Sequence, residues 1–138
     1  MNRSNFQKLA KIRCGDAKIL LEQENYSGAY YLCGYVIECG LKACIAKQTK
    51  KYDFPPDQKT VRDIYTHDLD LLIKSAGLKT VLDEDLKKDK KLEVSWAIIK
   101  DWSEKSRYEE YTDNEAQNLY EAVTDKNHGV LQWISRRW

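Results

Sequence analysis

The residues best suited to chemistry recur along one predicted helix, where Tyr31, Tyr35, Glu38 and Lys42 are spaced by three and four positions. This spacing places them in one stripe on a helix surface. Two interpretations are open for the stripe. The Glu38–Lys42 pair, at positions i and i+4, is either an ordinary surface ion pair of small energetic value or the charged part of a ligand-binding cleft.

Four further residues could contact a ligand. His67 comes beside a predicted helix N-cap, where it either packs its ring or binds a ligand anion at the helix terminus. Arg107 either pairs with the glutamates around it or binds phosphate, for which its planar fork is suited. Tyr108 and Tyr111 could then stack on a base. We expect His128, on the last predicted helix, to be exposed to solvent.

Several reaction classes have no support in the sequence. It contains no GxGxxG, GxxxxGK[ST] or HExxH motif and no nucleophile elbow, and its two histidines are not spaced to share a metal. The four cysteines, Cys14, Cys33, Cys39 and Cys44, form no CxxC. The last three lie in one predicted helix, where they cannot easily bridge one another. We therefore expect buried thiols in a reducing cytosol, and predict neither a metal site nor a cofactor.

Length and composition indicate one folded domain, residues 1–138, without a general affinity for polyanions. The 23 basic and 22 acidic residues leave a formal charge of +1, and 42% of the residues are hydrophobic. The charged amino-terminal segment lacks the apolar core of a signal peptide. The longest uncharged run, Asn25 to Ile37, is too short to span a bilayer. These features predict a cytoplasmic protein that does not associate with membranes.

The apolar periodicity predicts an all-α fold, an up-and-down bundle of four or five helices. The first predicted helix runs from Ser4 or Asn5 to Glu24, and a central helix runs from N-cap Ser27 to Lys47. An extended loop at Pro55-Pro56 is followed by a helix from N-cap Thr66 to a stop at Gly77 and by a short helix over residues 80–86. A helix carrying Trp96 and Trp102 precedes the last helix, which runs from the Thr112–Glu115 capping box to the end, with Gly129 in its interior.

Four segments in this order resemble a HEPN domain (higher eukaryotes and prokaryotes nucleotide-binding domain): SGAYYLCGYVIECGLKACIAK, YTHDLDLLIKSAG, WAIIKDWSEKSRY and EAVTDKNHGVLQWI. The family's second-helix pattern is matched by Ala29, Glu38, Leu41, Lys42 and Ala43, and its HDL motif by His67, Asp68 and Leu69. The resemblance implies a helical bundle that dimerises, often with a cleft at the dimer interface. Many HEPN domains are metal-independent ribonucleases or partners of small nucleotidyltransferases in toxin–antitoxin pairs, and others bind RNA, nucleotides or proteins.

The chain departs from the ribonuclease branch of that family, which carries an Arg-x(4–6)-His motif. After Arg107 the corresponding positions hold Thr112, Asp113 and Asn114, and none of these side chains can replace histidine as an acid or base near neutral pH. The leading prediction is a homodimeric module that binds a nucleotide, RNA or a protein such as a nucleotidyltransferase. Two alternatives remain: a metal-independent endoribonuclease that uses Arg107 with His67 or His128, and a purely structural adaptor. The four tryptophans and nine tyrosines either fill the core or form the dimer interface.

Overall fold

The computed structural model describes residues 1–52 and 58–138, which contain helices, turns and irregular segments but no strand. The α-helices of these ranges are α1 (Arg3–Glu22), α2 (Tyr26–Tyr52), α3 (Gln58–Ile64), α4 (Leu69–Ser75), α5 (Lys79–Lys88), α6 (Lys90–Ile99), α7 (Asp113–Thr124) and α8 (Val130–Ser135), and a 3₁₀ helix spans Glu104–Tyr108. The all-α prediction is confirmed. The described residues form more than the predicted four or five helices, because caps and turns divide the second half of the chain into short segments. The prediction for Pro55-Pro56 lies outside the described residues.

The first two helices form an antiparallel pair that packs along its length. A capping box begins α1 at Arg3, one or two residues earlier than predicted. The Asn2 side chain accepts a hydrogen bond from the Asn5 backbone N–H, and the Asn5 side chain accepts one from the Asn2 N–H, both at 2.9 Å. The chain then reverses through Glu24, whose φ of 62° is left-handed. This tight reversal sets α2 beside α1.

Helix α2 is the central element of the fold, in contact with α1, α4, α7, α8 and the 3₁₀ helix. Its buried side chains occupy most of its circumference, as expected for a helix enclosed by others; they are Ala29, Cys33, Val36, Ile37, Glu38, Cys39, Leu41, Ala43, Cys44 and Ile45. The segment Tyr26–Thr49 is long and apolar enough to cross a membrane by length and composition, which the uncharged run alone did not indicate. However, 67% of its most apolar window is buried inside the fold, as it is in the core helix of a soluble protein.

Local side-chain chemistry also sets the limits of α4. The Asp68 carboxylate caps it by accepting from the Leu71 N–H at 3.1 Å, so the N-cap lies two residues after the predicted Thr66. Thr66 instead accepts from the Asp68 N–H at 3.1 Å. At the other end Gly77 has φ +70°, a conformation that glycine adopts without strain, and it ends the helix as predicted.

The predicted last helix is two helices. The Thr112–Glu115 capping box is confirmed: each residue's side chain accepts a hydrogen bond from the other's backbone N–H, at 3.2 and 3.1 Å. Helix α7 ends at Thr124 because the Asp125 carboxylate accepts from the backbone N–H groups of the turn that follows it. Gly129 is the N-cap of α8 instead of an interior residue, and a Cβ there would overlap the Asp125 main chain.

Candidate functional site

The candidate site is centred on Glu38, a charged side chain of α2 that is only 1% exposed. Its Oε1 accepts a hydrogen bond from Lys42 Nζ at 2.8 Å and lies 2.8 Å from His67 Nδ1. Its Oε2 is buried and has no hydrogen-bond partner in the described part of the chain. The surface interpretation of the Glu38–Lys42 pair is therefore wrong, because one member is a core residue.

This arrangement explains how a carboxylate is tolerated in an apolar core. A buried charge is costly unless it is paired and hydrogen-bonded. Lys42 supplies the opposite charge from the next turn of the same helix, and His67 reaches the same oxygen from the segment that precedes α4. The His67 side chain remains 46% exposed. Because its Nδ1 is engaged by Glu38, Nε2 is the ring nitrogen available to a ligand.

An aromatic group adjoins the charged cluster on α2. Trp102, which follows α6, is buried against Gly34, where a Cβ would overlap the indole ring. Tyr31 stacks on Trp102, with ring centroids 6.0 Å apart, and on Tyr35, with centroids 6.3 Å apart. The sequence predicts Trp102 on the same helix as Trp96, but α6 ends at Ile99, and the sequence pattern does not connect Trp102 with the tyrosine stripe. The available signal was Gly34, a residue unfavourable in a helix interior unless a neighbour packs closely there.

Arg107 lies on the 3₁₀ helix, beside this aromatic group. Its guanidinium carbon is 5.0 Å from the ring centroid of Tyr108, a residue that is 79% exposed. The Tyr108 phenol raises the pKa of Arg107 above its usual value, and the Tyr31 phenol adds to this effect. The ion pair that was considered between Arg107 and its neighbouring glutamates is absent from the described residues. The 3₁₀ helix packs against α2, and Arg107 lies close enough to Tyr31 for its phenol to affect the guanidinium.

The segment that carries Arg107 is attached to the start of α2. The Tyr111 backbone N–H donates to Ser27 Oγ at 2.9 Å, and the Tyr111 ring stacks on Tyr30 with centroids 3.6 Å apart. Ser27, predicted as the N-cap of α2, lies inside that helix, where its hydroxyl binds this distant segment. Tyr111 is therefore a structural anchor in this state, and the base-stacking role considered for it does not apply to the ring face that Tyr30 covers.

His128 belongs to a different part of the molecule. Its Nδ1 lies 2.7 Å from Asp89 Oδ2, and Asp89 is the N-cap of α6. The His128 side chain is one-third exposed, less than expected from the sequence. This hydrogen bond lowers the pKa of Asp89 below its usual value, and the backbone N–H of Leu92 contributes further. The geometry joins His67, and not His128, to the residues of the predicted site.

Two cavities flank the charged cluster. A polar cleft of about 360 Å³ contains His67 and Trp102 in its lining, which comprises Thr66, His67, Asp68, Lys100, Asp101, Trp102, Ser103 and Glu104. A second cavity, of about 440 Å³, is mostly apolar and is lined by Lys42 and other residues of α2, by residues at the start of the chain and of α1, and by Ile64 of α3. Of the six predicted ligand-binding residues, only Lys42 lines either of these two cavities. The name tyrosine–arginine surface is used here for the exposed Arg107 and Tyr108 of the 3₁₀ helix together with the partly buried Tyr31 and Tyr35 of α2. Glu38 lies in the core, and Lys42 is partly buried.

The cysteines have the character of core residues. Cys33, Cys39 and Cys44 are buried, Cys14 is partly buried, and all four are free. Burial raises the pKa of Cys33 to about 12 and those of Cys39 and Cys44 to about 11, so these thiols stay protonated at neutral pH. Within the described residues no group of three or more His, Cys, Asp or Glu side chains could hold a metal ion.

Comparisons of this chain with protein-family models, with curated proteins and with solved structures found no match.

Proposed function

We propose that this protein is a HEPN-like module that binds RNA or a nucleotide at the tyrosine–arginine surface. The observation that carries the proposal is the pairing of Arg107 with the exposed ring of Tyr108 at 5.0 Å. A guanidinium beside an exposed aromatic face offers one group for a phosphate and another for a base. Tyr31, stacked on Trp102, extends the aromatic area behind Arg107.

The HEPN part of the proposal is supported by contacts between the residues that carry the resemblance. Glu38 and Lys42 match the second-helix pattern, and His67 matches the HDL motif, 29 residues further along the chain. In the fold, Lys42 and His67 both contact the same carboxylate oxygen of Glu38. Asp68 of the same motif caps α4, and Leu69 is the first residue of that helix and is fully buried. Two separate sequence patterns thus contribute to one structural unit, which favours a HEPN-like arrangement of the bundle.

RNA binding is tested by fluorescence anisotropy with an end-labelled single-stranded oligonucleotide and with a labelled nucleotide. Replacing Arg107 by alanine removes the cation and is expected to weaken binding about tenfold, since stacking and cation–π contacts contribute on the order of 1–3 kcal/mol per base. Lys105→Ala is the matched control, because Lys105 is an exposed cation on the same 3₁₀ helix. Equal losses in both variants, or no binding by the wild type, would contradict the proposal and favour the structural adaptor.

The proposal includes a cytoplasmic homodimer that can take a nucleotidyltransferase-type protein as a partner. Helix α1 supports the dimer by exposing Ile12 and Ile19, which lie seven residues apart on one face and are 45% and 60% exposed. Light scattering coupled to size exclusion should give twice the chain mass at micromolar concentration. A single monomer mass under those conditions would rule out the dimer.

A second candidate is a metal-independent ribonuclease that uses His67 and Arg107. It is favoured by the Glu38–His67 hydrogen bond, since a buried carboxylate on Nδ1 orients an imidazole for proton transfer through Nε2. If this is correct, His67→Ala abolishes EDTA-resistant RNA cleavage while His128→Ala, which removes the other histidine, leaves it intact. Wild-type protein that cleaves no RNA above the buffer background excludes this candidate and leaves the binding module.

A further inference from the structure

A cationic cleft lies near the far end of α2 from the tyrosine–arginine surface. Lys47 is roughly 24 Å along the helix from Tyr31, at about 1.5 Å per residue. The cleft has a volume of about 370 Å³, and its lining includes three cations and no carboxylate; the residues are Cys44, Lys47, Gln48, Ala76, Leu78, Arg136 and Arg137. The lining joins α2, the turn between α4 and α5, and the residues that follow α8.

Arg137 is held in place in this cleft by contacts that need no ligand. Its guanidinium donates to the Trp133 carbonyl at 2.7 Å and to Asp85 Oδ2 at 3.2 Å. It also lies 3.8 Å from the Trp133 ring centroid, and the Trp133 indole N–H donates to the same Asp85 oxygen at 2.8 Å. A side chain that is already ordered loses little conformational entropy on binding, so Arg137 is a preorganised cation.

The other two cations of the cleft, Lys47 and Arg136, are exposed, and neither forms an ion pair with a side chain that the structure describes. Arg136 also lines the adjacent cavity, whose lining includes Asp85 and Asp89. Burial lowers the pKa of Arg137 below its usual value, Asp85 opposes this effect, and the charge of Arg136 lowers that pKa further. The repulsion between these cations is a cost that a bound anion would relieve.

The buried thiol of Cys44 is affected by the same positive charges. Burial raises its pKa to about 11, whereas the positive charges of Lys47, Arg137 and Arg3 act to lower it. Arg3 is already engaged, because it donates to the main-chain oxygen of Trp138. Lys47, Arg136 and Arg137 are the three cations that line the cleft. Arg137 also bonds Asp85 and the Trp133 carbonyl, so it offers a ligand only the N–H groups left over from those two bonds.

We propose that this cleft is a phosphate-binding site. Guanidinium groups bind phosphate oxygens through paired N–H donors, and the lysine adds a mobile point charge. The phosphate belongs either to an RNA backbone or to a small phosphorylated molecule. In both cases the site is separate from the tyrosine–arginine surface and does not depend on its function.

Two probes and three variants test the site. Inorganic pyrophosphate is titrated by calorimetry, and a labelled single-stranded RNA is titrated by anisotropy at several salt concentrations. Lys47→Gln and Arg136→Gln should each weaken binding about tenfold, and for RNA each should reduce the slope of log K against log salt by about 0.7. Lys88→Gln is the control for charge, because Lys88 is an exposed cation in the adjacent cavity, whose lining includes the carboxylates Asp85 and Asp89.

The outcomes separate the two phosphate sources. Pyrophosphate binding that is weakened by the two cleft variants, but not by Lys88→Gln, supports the site with a small phosphorylated ligand. If only RNA binds, and the two cleft variants but not Lys88→Gln weaken its binding, the result supports the site with an RNA backbone as its ligand. No binding of either probe, or equal losses in all three variants, overturns the proposal. Because the cleft lies roughly 24 Å along α2 from the tyrosine–arginine surface, Arg107→Ala should leave unchanged the pyrophosphate binding that Lys47→Gln and Arg136→Gln weaken. The test can therefore succeed or fail independently of the proposed function.

Discussion

At the scale of single residues, Glu38 shows how burial alters the value of an ion pair. Its i, i+4 pairing with Lys42 is the same pattern as the exposed Asp70–Lys74 pair on α4. The exposed pair is screened by water and contributes little. Glu38 has no such screening, so the ammonium of Lys42 and the imidazole of His67 are the groups that stabilise its charge. The same sequence spacing therefore has different energetic consequences in the two helices.

We predict that Lys42→Met destabilises the fold by about 3 kcal/mol, because it leaves a buried carboxylate without its full countercharge. Lys74→Met, the matched change in the exposed pair, should alter the unfolding free energy by less than about 0.5 kcal/mol. Urea unfolding followed by circular dichroism measures both values. Similar small losses in the two variants would show that Glu38 does not depend on Lys42.

At the scale of elements, the close approach between α2 and Trp102 determines where the tyrosine–arginine surface lies. Gly34 lets the indole ring rest on the helix backbone, and Trp102 in turn supports Tyr31. Any side chain at position 34 pushes the indole outward and shifts the ring on which Tyr31 stacks. This contact therefore links a helix-packing requirement to the geometry of the proposed binding surface.

Gly34→Ala should lower the unfolding free energy by about 1–3 kcal/mol, because the added methyl overlaps the indole and the packing must shift. Gly15→Ala on α1 is the control, since a Cβ there meets no atom within 4 Å. That change should raise stability by up to about 1 kcal/mol through helix propensity. The comparison uses urea unfolding of both variants, and equal signs for the two changes would contradict the packing argument.

At the scale of the whole molecule, enclosure of α2 by the other helices sets the protonation of the core. Three thiols of this helix are buried, and their pKa values lie at about 11 to 12 in the folded protein, compared with an ordinary value of 9.0. Below pH 9 the folded and unfolded chains hold the same thiol protons. Above pH 9 the unfolded chain releases them while the folded chain retains them, so rising pH favours unfolding.

We therefore predict that the unfolding free energy falls as pH rises from 9 towards 11 under reducing conditions. Each buried thiol contributes a slope of up to about 1.4 kcal/mol per pH unit. Cys33→Ala should remove one such contribution and flatten the pH dependence, which urea unfolding at pH 8, 9 and 10 would measure. An unfolding free energy that stays constant from pH 8 to pH 10 would contradict the burial of these thiols.

Local patterns in the sequence determined much of the helical framework. Apolar periodicity placed α2 at the centre, the Thr112–Glu115 pair began α7, and Gly77 ended α4, because each signal acts within a few residues. The same reasoning missed the turn at Asp125, since an apolar stripe continues across it on both sides. The Tyr31, Tyr35, Glu38 and Lys42 stripe was also visible as residues of one helix.

Only the tertiary structure decided what covers that stripe. It buries Glu38, brings His67 to it, sets Trp102 on Gly34, and places Arg107 beside Tyr31 while His128 binds Asp89. Helical periodicity records which residues share a face, but it contains no information about which distant segment packs there. Which segment packs on a helix face depends on side chains that lie far apart in the sequence. For Glu38 and Lys42, that packing decides between a surface ion pair and a buried charged cluster.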